Sequence, residues 1–323
     1  MVKVKEFVGI DISKLTFDVA TPTGTERLYK HSKYENSKAG FTSLKEKLPS
    51  DCICVMEASG PYYMGLANYL HGEGIEVRVV NPLAVKHFSR MRMTRAKTDK
   101  KDAALIAEYA KSENPPIWKP KAEHLVELQQ LQSVLEGSVT RKTQLQNQYE
   151  ALLSSGLKKS SALGILKKEI SHVISVIEKI EKQMENIAQA YHKEMFKRLQ
   201  SIPGIGKRTA MLLIVITDGF TRFETAKQLV GYVGLCPRIY DSGTSVKGKQ
   251  KICKMGMASM RTLLYMCAMT AKQSNHACAE MHIRLKAKGK NGKLILVAIA
   301  NKLIKQAFAI AKSGQNYESK LFI

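Results

Sequence analysis

The sequence predicts an α/β domain, followed by a pair of long α-helices and a mainly α-helical domain with a basic surface. Three observations indicate this fold class. Short apolar runs alternate with helical segments over residues 1–120, and an apolar repeat with a mean spacing of 3.5 residues runs through residues 121–196. Glycine-rich turns separate short helices over residues 197–323. We therefore expect three segments with these boundaries, in a chain of 323 residues that is long enough for two separate cores.

The first segment is expected to have the element order β-β-β-α-β-α-β-α. Short apolar and alternating runs predict strands at residues 4–12, 15–20, 26–31, 52–56 and 77–80. Helical patterns lie at residues 36–48 and 62–71, and a further helix is expected to begin near Thr98. The prolines at positions 115, 116 and 120 end the segment.

An apolar repeat in the second segment predicts a helical seam. Apolar residues occupy all nine positions of a series that steps alternately by three and four residues: Leu163, Leu166, Ile170, Val173, Ile177, Ile180, Met184, Ile187 and Tyr191. An earlier series between Leu128 and Leu152 is apolar at six of eight positions, and Ser154-Ser-Gly156 suits a turn between the two helices. The seam pairs helices either within one chain or between protomers. We favour the pairing of protomers.

Positive charge is concentrated at the C-terminal end. The formal net charge is +23, and residues 241–323 carry 15 lysines and arginines against three acids, which gives +12 of that total. A generally basic protein would carry the excess evenly, so the pattern indicates a polyanionic partner such as nucleic acid. The longest apolar runs are too short to span a bilayer, which predicts no membrane association. The six cysteines lack metal-ligand spacing, which is typical of reduced thiols in the cytoplasm.

Four acidic residues of the first segment are candidates for a metal site. Asp11 and Glu57 lie at or near the ends of predicted strands, and Asp99 and Asp102 share one face of a predicted helix. Each has an ordinary explanation alone, because Asp99, for instance, suits the first turn of a helix capped by Thr98. The predicted element order brings such positions together in the ribonuclease H-like fold. Carboxylates that converge need divalent cations to neutralise them, and their hard oxygen atoms suit Mg²⁺ or Mn²⁺.

Three motifs around these acids resemble a known family. Gly9-Ile-Asp-Ile-Ser13, Met56-Glu-Ala-Ser-Gly60 and Lys97-Thr-Asp-Lys-Lys-Asp102 are similar to motifs of the DEDD-type bacterial insertion-sequence transposases. The first domain of that family resembles the RuvC-like Holliday-junction resolvases. The resemblance implies that residues 1–120 form a RuvC-like metal-binding domain with a catalytic tetrad of Asp11, Glu57, Asp99 and Asp102.

The third segment opens with a glycine-rich motif, Ser201-Ile-Pro-Gly-Ile-Gly-Lys-Arg-Thr-Ala210, that is typical of a helix-hairpin-helix. Gly204 and Gly206 permit tight turns that bring backbone N–H groups close to a phosphate, and Lys207 and Arg208 open the next helix. Such a contact reads the DNA backbone and not its bases. The alternative is a glycine-rich connection between helices that does not bind DNA.

A cationic loop further along the chain carries a candidate nucleophile. Ser242 lies beside a glycine, and four cationic residues that follow are expected to contact DNA: Lys247, Lys249, Lys254 and Arg261. A serine hydroxyl can attack a phosphodiester, and cations can stabilise the charge that develops on phosphorus. By sequence alone, Ser-Gly is better explained by a turn. The transposase family carries a Ser-Gly serine at this place, so the resemblance implies that Ser242 is the nucleophile; Ser245, its nearest competitor, lacks the following glycine.

The resemblance extends over nearly the whole chain and implies an RNA-guided serine recombinase in the bacterial cytoplasm. Such a protein forms a covalent phosphoserine link to double-stranded DNA and selects donor and target with a noncoding guide RNA. It also assembles as a homo-oligomer, a dimer or a tetramer, in which one protomer's serine is expected to complete another's metal site. Two other functions stay open: a metal-only Holliday-junction resolvase or nuclease, and a non-enzymatic DNA-binding protein. The four acids argue against the last, because a DNA binder has no reason to gather anions near phosphates.

Overall fold

The computed structural model describes residues 6–25, 28–93, 98–156, 160–238 and 251–318, and the backbone of residues 241–242 and 246–247. The chain divides into two compact units, Met1–Pro120 and Lys121–Ile323, which are described in turn. The helices of the predicted second segment belong to the second unit.

A five-stranded mixed sheet forms the centre of the first unit. Its strands are β1 (Glu6–Ile12), β2 (Thr16–Pro22), β3 (Tyr29–Glu35), β4 (Cys52–Glu57) and β5 (Glu76–Val80), in the spatial order β3-β2-β1-β4-β5. The first three strands form an antiparallel meander, and β4 and β5 run parallel to β1. The helices are α1 (Lys38–Lys45), α2 (Tyr63–Gly72), α3 (Pro82–Met91) and α4 (Asp99–Glu113). The expected α/β class of this unit is confirmed.

Two elements of the first unit differ from the sequence-based expectation. The third strand begins at Tyr29 and ends at Glu35, because it pairs with β2 over seven residues; as a polar edge strand it gives only a weak apolar signal. Helix α3 was not expected at all. Its start is nevertheless marked in the sequence, since the Asn81 side chain accepts a hydrogen bond from Leu83 N at 2.9 Å and Pro82 occupies the first turn.

Helices cover both faces of the sheet. On one face, Val8, Ile10 and Phe17 pack in a buried cluster with Leu66 and Leu70 of α2. On the other face, the buried cluster joins strand residues to α3 and α4: Ile53, Val55, Val80, Val85, Ile106 and Ala110. A strand that is covered on both faces explains why β4 reads as a continuous apolar run from Cys52 to Met56 in the sequence.

Helix α4 lies directly on the backbone of β1 at Gly9. A Cβ atom at this position would stand 2.0 Å from the carbonyl oxygen of Ala103 and 2.7 Å from the backbone nitrogen of Ala107. Only a residue without a side chain therefore lets α4 approach so closely. Asp11, two residues further along β1, faces the same side of the sheet as Gly9. The approach of α4 consequently carries its first turn towards Asp11.

The second unit is built of helices and two short β-ladders. The helices are α5 (Glu123–Ser154), α6 (Ser161–Tyr191), α7 (Lys193–Gln200), α8 (Lys207–Thr217), α9 (Ala226–Val233), α10 (Ala258–Ser274), α11 (His276–Ala287) and α12 (Gly292–Ser313). One ladder pairs β6 (Pro237–Arg238) with β9 (Lys251–Ile252), and the other pairs β7 (Asp241–Ser242) with β8 (Val246–Lys247). Helix α8 is buried from Thr209 to Thr217 and forms the centre of the core.

The long helices α5 and α6 pair with each other inside one chain. Leu145 near the end of α5 clusters with Leu166 and Val173 in the first half of α6. At the opposite end, Leu128 joins Met184 in the main core. The pairing is therefore antiparallel, as a connection of only six residues (155–160) requires. Val173 and Ile180 of the seam are buried by this pairing within the chain, and the use of the seam between protomers stays a prediction.

Helix α12 is long and apolar enough to cross a membrane by length and composition alone. Half of its apolar stretch is buried within the second unit, where Ile299, Leu303 and Ile304 are fully covered. This burial is that of a core helix, which accounts for the apolar composition without a membrane.

Replacement of Gly9 by alanine is expected to destabilise the first unit. The added methyl group would overlap the backbone of α4, so we expect a loss of about 3 kcal/mol or more in the free energy of unfolding. Urea denaturation measures this loss. Gly72→Ala is the control, because a Cβ atom at that helical glycine meets no atom within 4 Å. Equal stability of the two variants would contradict the role of Gly9.

Candidate functional site

All four predicted acids line a single cleft in the first unit. The cleft has a volume of about 830 Å³ and opens at the carboxyl ends of the parallel strands β1, β4 and β5. Its acidic residues are Asp11, Glu57, Asp99 and Asp102. In open α/β sheets the carboxyl ends of parallel strands are the usual place for ligands. The strands and helix that the sequence predicted thus bring the four carboxylates together.

Two strands and one helix position these acids. The pairing of Ile10 with Met56 sets Asp11 and Glu57 at the next positions of the neighbouring strands β1 and β4. Asp99 and Asp102 occupy the first turn of α4, where Thr98 caps the helix by accepting a hydrogen bond from Lys101 N at 3.3 Å. The partial positive charge of a helix N-terminus stabilises acids in the first turn. The capping role expected for Thr98 therefore coexists with a place for both acids in the cleft.

Asp11 is a partly buried acid that other acids surround. Burial, followed by the charges of Asp102, Glu57, Asp99 and Asp18 in that order of importance, raises its pKa to about 6. Asp18 lies directly opposite Asp11 on β2. It is buried and compensated separately, by His31 Nε2 at 2.6 Å and Lys33 Nζ at 3.5 Å. Asp18 therefore has cationic partners of its own, and it does not line the cleft.

Sequence reasoning missed several residues of the cleft. Ser59 Oγ donates a hydrogen bond to Glu57 Oε1 at 2.5 Å and so holds that carboxylate. Helix α3 adds Lys86 and Arg90, two exposed cations one helical turn apart that line the same cleft. These two are suited to a phosphate that enters beside the acids. The signal for α3 was the dipeptide Asn81-Pro82, which marks a helix start.

The donor set of the cleft fits a hard divalent cation. Carboxylate oxygens are the ligands that Mg²⁺ and Mn²⁺ prefer, and a cation would relieve the repulsion that raises the pKa of Asp11. Within the part of the chain that the structure describes, no three His, Cys, Asp or Glu side chains stand close enough to share one ion. The acids thus share a cleft without forming a compact ligand cage.

The backbone of Ser242 lies in the short ladder of the second unit. Ser242 ends β7 and pairs with Val246 of β8, while Asp241 pairs with Lys247. Residues 243–245, which include Ser245, and residues 248–250, which include Lys249, lie outside the described residues, as does Lys97 of the motif before Asp99.

Two cations expected to bind DNA border the ladder segment. Lys254 is exposed and adopts a left-handed backbone conformation with φ +54°. Arg261 is half-buried and donates a hydrogen bond from Nη1 to the carbonyl oxygen of Val233 at 2.9 Å. Arg261 therefore stabilises the end of α9 in addition to any contact with DNA.

The glycine-rich motif connects α7 to α8, as the sequence predicts, but its two glycines differ. Gly204 has φ +101°, and a Cβ atom there would stand 2.7 Å from Cβ of Ala271 on α10, so packing requires it. Gly206 precedes α8 and a Cβ atom would meet nothing within 4 Å, which leaves its backbone open to a ligand. The N-terminus of α8 is thus the part of the motif that is available to a phosphate.

The two cations at the start of α8 are already engaged by α6. Lys207 Nζ lies 2.7 Å from Glu185 Oε1, and Arg208 Nε lies 3.2 Å from Glu181 Oε1. Both pairs are partly exposed, so water screens them and each is weak. A phosphate therefore competes with two glutamates for these cations.

The chain is similar to known transposases along most of its length. Residues 8–156 match a family model described as a transposase, and residues 196–283 match one described as the transposase IS116/IS110/IS902 family. The pilin gene-inverting protein of Moraxella lacunata is 30% identical over 98% of this chain and 99% of its own length. The protein of the same name from Moraxella bovis is 29% identical over the same shares. The transposase for the insertion sequence element IS1111A of Coxiella burnetii is 26% identical over 80% of this chain and 76% of its own.

Asp11→Asn is expected to stabilise the metal-free protein at neutral pH. An acid with a raised pKa destabilises the folded state when it is ionised: the penalty is absent below the ordinary pKa of 3.8 and complete above about 6. After allowance for solvent screening, we expect a gain of about 1–2 kcal/mol above pH ~7 that disappears near pH ~4. Calorimetry in the presence of a chelator measures it, with Asp51→Asn on an exposed turn as control. A variant no more stable than the parent at neutral pH would refute the crowding of charge at Asp11.

Proposed function

We propose, because the chain belongs to the IS116/IS110/IS902 family of insertion-sequence transposases, that it cuts and rejoins DNA with a serine nucleophile and a divalent-metal site. Activity as a DNA transposase or recombinase follows from the family itself. The observation that carries the finer proposal is the cleft lined by Asp11, Glu57, Asp99 and Asp102.

The first unit is proposed to be a RuvC-like, ribonuclease H-like metal-binding domain. Its strand order, with an antiparallel meander followed by two strands parallel to β1, supports this assignment. Asp11, Glu57, Asp99 and Asp102 would hold Mg²⁺ or Mn²⁺, and transposases of this family generally depend on a divalent metal. Such a cation, when bound, neutralises charge on the phosphate and favours deprotonation of a hydroxyl. Ser59 fixes the Glu57 carboxylate, and Lys86 and Arg90 orient the DNA backbone by its phosphates.

Ser242 is proposed to be the nucleophile. Its hydroxyl oxygen would attack phosphorus and lose its proton, and the sugar oxygen that leaves would take up a proton. The result is a phosphoserine ester that preserves the energy of the phosphodiester for rejoining. Ser242 ends strand β7, and Lys247, Lys249 and Lys254 follow it in the sequence. These cations support the role, since cations stabilise the charge that develops on phosphorus.

DNA binding is proposed to rest on the helix-hairpin-helix motif at the start of α8 and on the basic C-terminal region. The open backbone at Gly206, with Lys207 and Arg208, supports contacts to phosphates that ignore base sequence. The +12 charge of residues 241–323 also supports binding of a second polyanion, a noncoding guide RNA that selects donor and target. A homo-oligomer in the cytoplasm, with the serine of one protomer serving the cleft of another, completes the proposal.

Site-specific inversion is a second candidate outcome of the same chemistry. Two relatives that match 98% of this chain are named as proteins that invert a pilin gene. Inversion and transposition both require cleavage and rejoining of DNA strands and differ in the arrangement of the recombining sites. A recombination assay with sites in inverted orientation on one plasmid, and with a separate donor and target, distinguishes them.

Removal of cleft carboxylates is expected to abolish recombination without unfolding the protein. Asp11→Asn and Asp102→Asn should each lower the rate of DNA cleavage by roughly a hundredfold or more, because each removes one proposed metal ligand. Chelation should have the same effect, and added Mg²⁺ or Mn²⁺ should restore the parent protein only. Asp51→Asn serves as the matched control. Full activity of the cleft variants, or of the parent in chelator, would overturn the metal site.

Ser242→Ala is expected to bind DNA normally but to form no covalent adduct. Denatured reaction mixtures of the parent should contain protein joined to DNA, and mass spectrometry should locate the bond at Ser242. Ser245→Ala is the matched control and should form the adduct at the parent rate. An adduct at Ser245 or Tyr240 would make the assignment wrong. Cleavage of DNA by the parent with no adduct would favour the metal-only nuclease.

Removal of the two glutamates that engage the hairpin is expected to strengthen DNA binding. Glu181→Gln with Glu185→Gln frees Lys207 and Arg208, so the affinity for any duplex should rise about two- to tenfold at low salt. Lys207→Ala with Arg208→Ala should weaken it for all sequences and reduce the salt slope by about one to two units. Fluorescence anisotropy measures both. Glu178→Gln, on an exposed position of α6, is the control, and an unchanged affinity in the double Gln variant would show that the hairpin cations do not meet DNA.

A further inference from the structure

Two cysteines meet at the base of the segment that carries Ser242. The ladder of β6 and β9 pairs Pro237 with Ile252, so Cys236 and Cys253 stand opposite each other at the next position. The backbone nitrogen of Cys253 donates a hydrogen bond to the carbonyl oxygen of Cys236 at 2.9 Å, and the two Sγ atoms are 3.0 Å apart. Both thiols are free. The chain thus brings together, across 16 intervening residues, two sulfur atoms that need to move only about 1 Å to form a bond.

These thiols differ from the other four cysteines in their access to solvent. Cys52, Cys54, Cys267 and Cys278 are buried, and burial raises the pKa of the Cys278 thiol to about 11. Cys236 and Cys253 are only half-buried, beside the exposed side chains of Lys251 and Lys254. Cationic, partly exposed surroundings favour thiolate reactivity, whereas buried thiols are inert. Small oxidants therefore reach this pair before the remaining cysteines.

We propose that Cys236 and Cys253 form a reversible disulfide that ties β6 to β9 and restrains the segment that carries Ser242. A low-molecular-weight disulfide such as oxidised glutathione is the oxidant. One thiolate attacks it and forms a mixed disulfide with release of one glutathione; the second thiolate then displaces the other glutathione and closes the protein disulfide. The two protein thiols are oxidised, one glutathione disulfide is reduced to two thiols, and an excess of reduced glutathione reverses the exchange.

The hydrogen bond between the thiols indicates which sulfur attacks first. Cys236 donates its thiol hydrogen to Sγ of Cys253, and this hydrogen bond, with burial second, raises the pKa of Cys236. The proton therefore stays on Cys236, and Cys253 presents the available lone pair to the oxidant. Cys236 is then the resolving thiol.

The consequence for activity rests on the proposed role of Ser242. Ser242 lies between the two cysteines in the sequence, so the disulfide closes a loop of the chain that contains it. A covalent bond at the base restricts the approach of the serine to a phosphodiester, and small displacements from an attacking geometry cost large factors in rate. Oxidation should accordingly slow covalent adduct formation while the hairpin at α8 still binds DNA.

Equilibration of the full-length protein with glutathione buffers tests the proposal. After quenching with an alkylating agent, mass spectrometry should find a cross-linked peptide pair containing Cys236 and Cys253 as the oxidised fraction rises, with the four buried cysteines still reduced. Cys236→Ser should stop at a mixed disulfide on Cys253, whereas Cys253→Ser should react more slowly. Failure to form the intrachain disulfide, or preferential oxidation of another pair, overturns the proposal whatever the role of Ser242.

The activity of the two redox states provides the second measurement. The oxidised protein should form the covalent DNA adduct about tenfold more slowly than the reduced protein, with unchanged DNA affinity, and a reductant should restore the rate. Cys236→Ser treated with the same buffers and then with reductant should keep the reduced rate. A disulfide that forms without any change in rate overturns the restraint on the segment. Loss of the adduct in the reduced parent protein would instead count against Ser242 as the nucleophile, and leaves the disulfide measurement intact.

Discussion

The close contact between helix α4 and strand β1 is the constraint on which the candidate site depends. A side chain at Gly9 would overlap the carbonyl oxygen of Ala103, so the missing side chain is what allows the helix to rest on the strand. Asp11 projects from the same face two residues later, and the first turn of α4 supplies Asp99 and Asp102. The parallel pairing of β1 with β4 adds Glu57. One backbone contact and one strand register together gather four acids that are distant in the sequence.

The cleft concentrates negative charge in a chain whose net charge is +23. The fold moderates this repulsion only in part. The N-terminus of α4 stabilises its two acids, Ser59 holds Glu57 by a hydrogen bond, and His31 with Lys33 compensates the neighbouring Asp18. The burial of Asp11 and the repulsion that remains together raise its pKa. A cluster of acids of this kind lowers the stability of the folded protein. A purely structural role gives no reason for such a cluster.

Some cationic side chains of the second unit already pair within the protein, so fewer of them can bind a polyanion than the positive charge of this unit suggests. Lys207 and Arg208 lie at a helix N-terminus suited to phosphate but pair with Glu185 and Glu181, and Arg261 binds the end of α9. Helix α6 therefore makes two kinds of contact: one face packs on α5, and its two glutamates pair with the cations at the start of α8. In the proposed mode of DNA binding, phosphates replace these weak, screened pairs, and the affinity therefore depends on both the acids and the cations.

The sequence by itself predicted most element types of the first unit, the meeting of the four acids and the glycine-rich connection before α8, because these depend on local periodicity and on residue chemistry. The prediction from the sequence missed helix α3, although Asn81 and Pro82 mark its start. It also placed the edge strand β3 too early in the chain, because the polar residues of this strand give little apolar signal. Only tertiary structure decided that the seam of α6 pairs with α5 of the same chain, since a 3.5-residue repeat specifies a partner helix but not its origin. Likewise, Cys236 and Cys253 look scattered in sequence, as do Lys207 and Glu185. Strand register brings the first pair together and helix packing the second, and both depend on contacts between residues that are far apart in the chain.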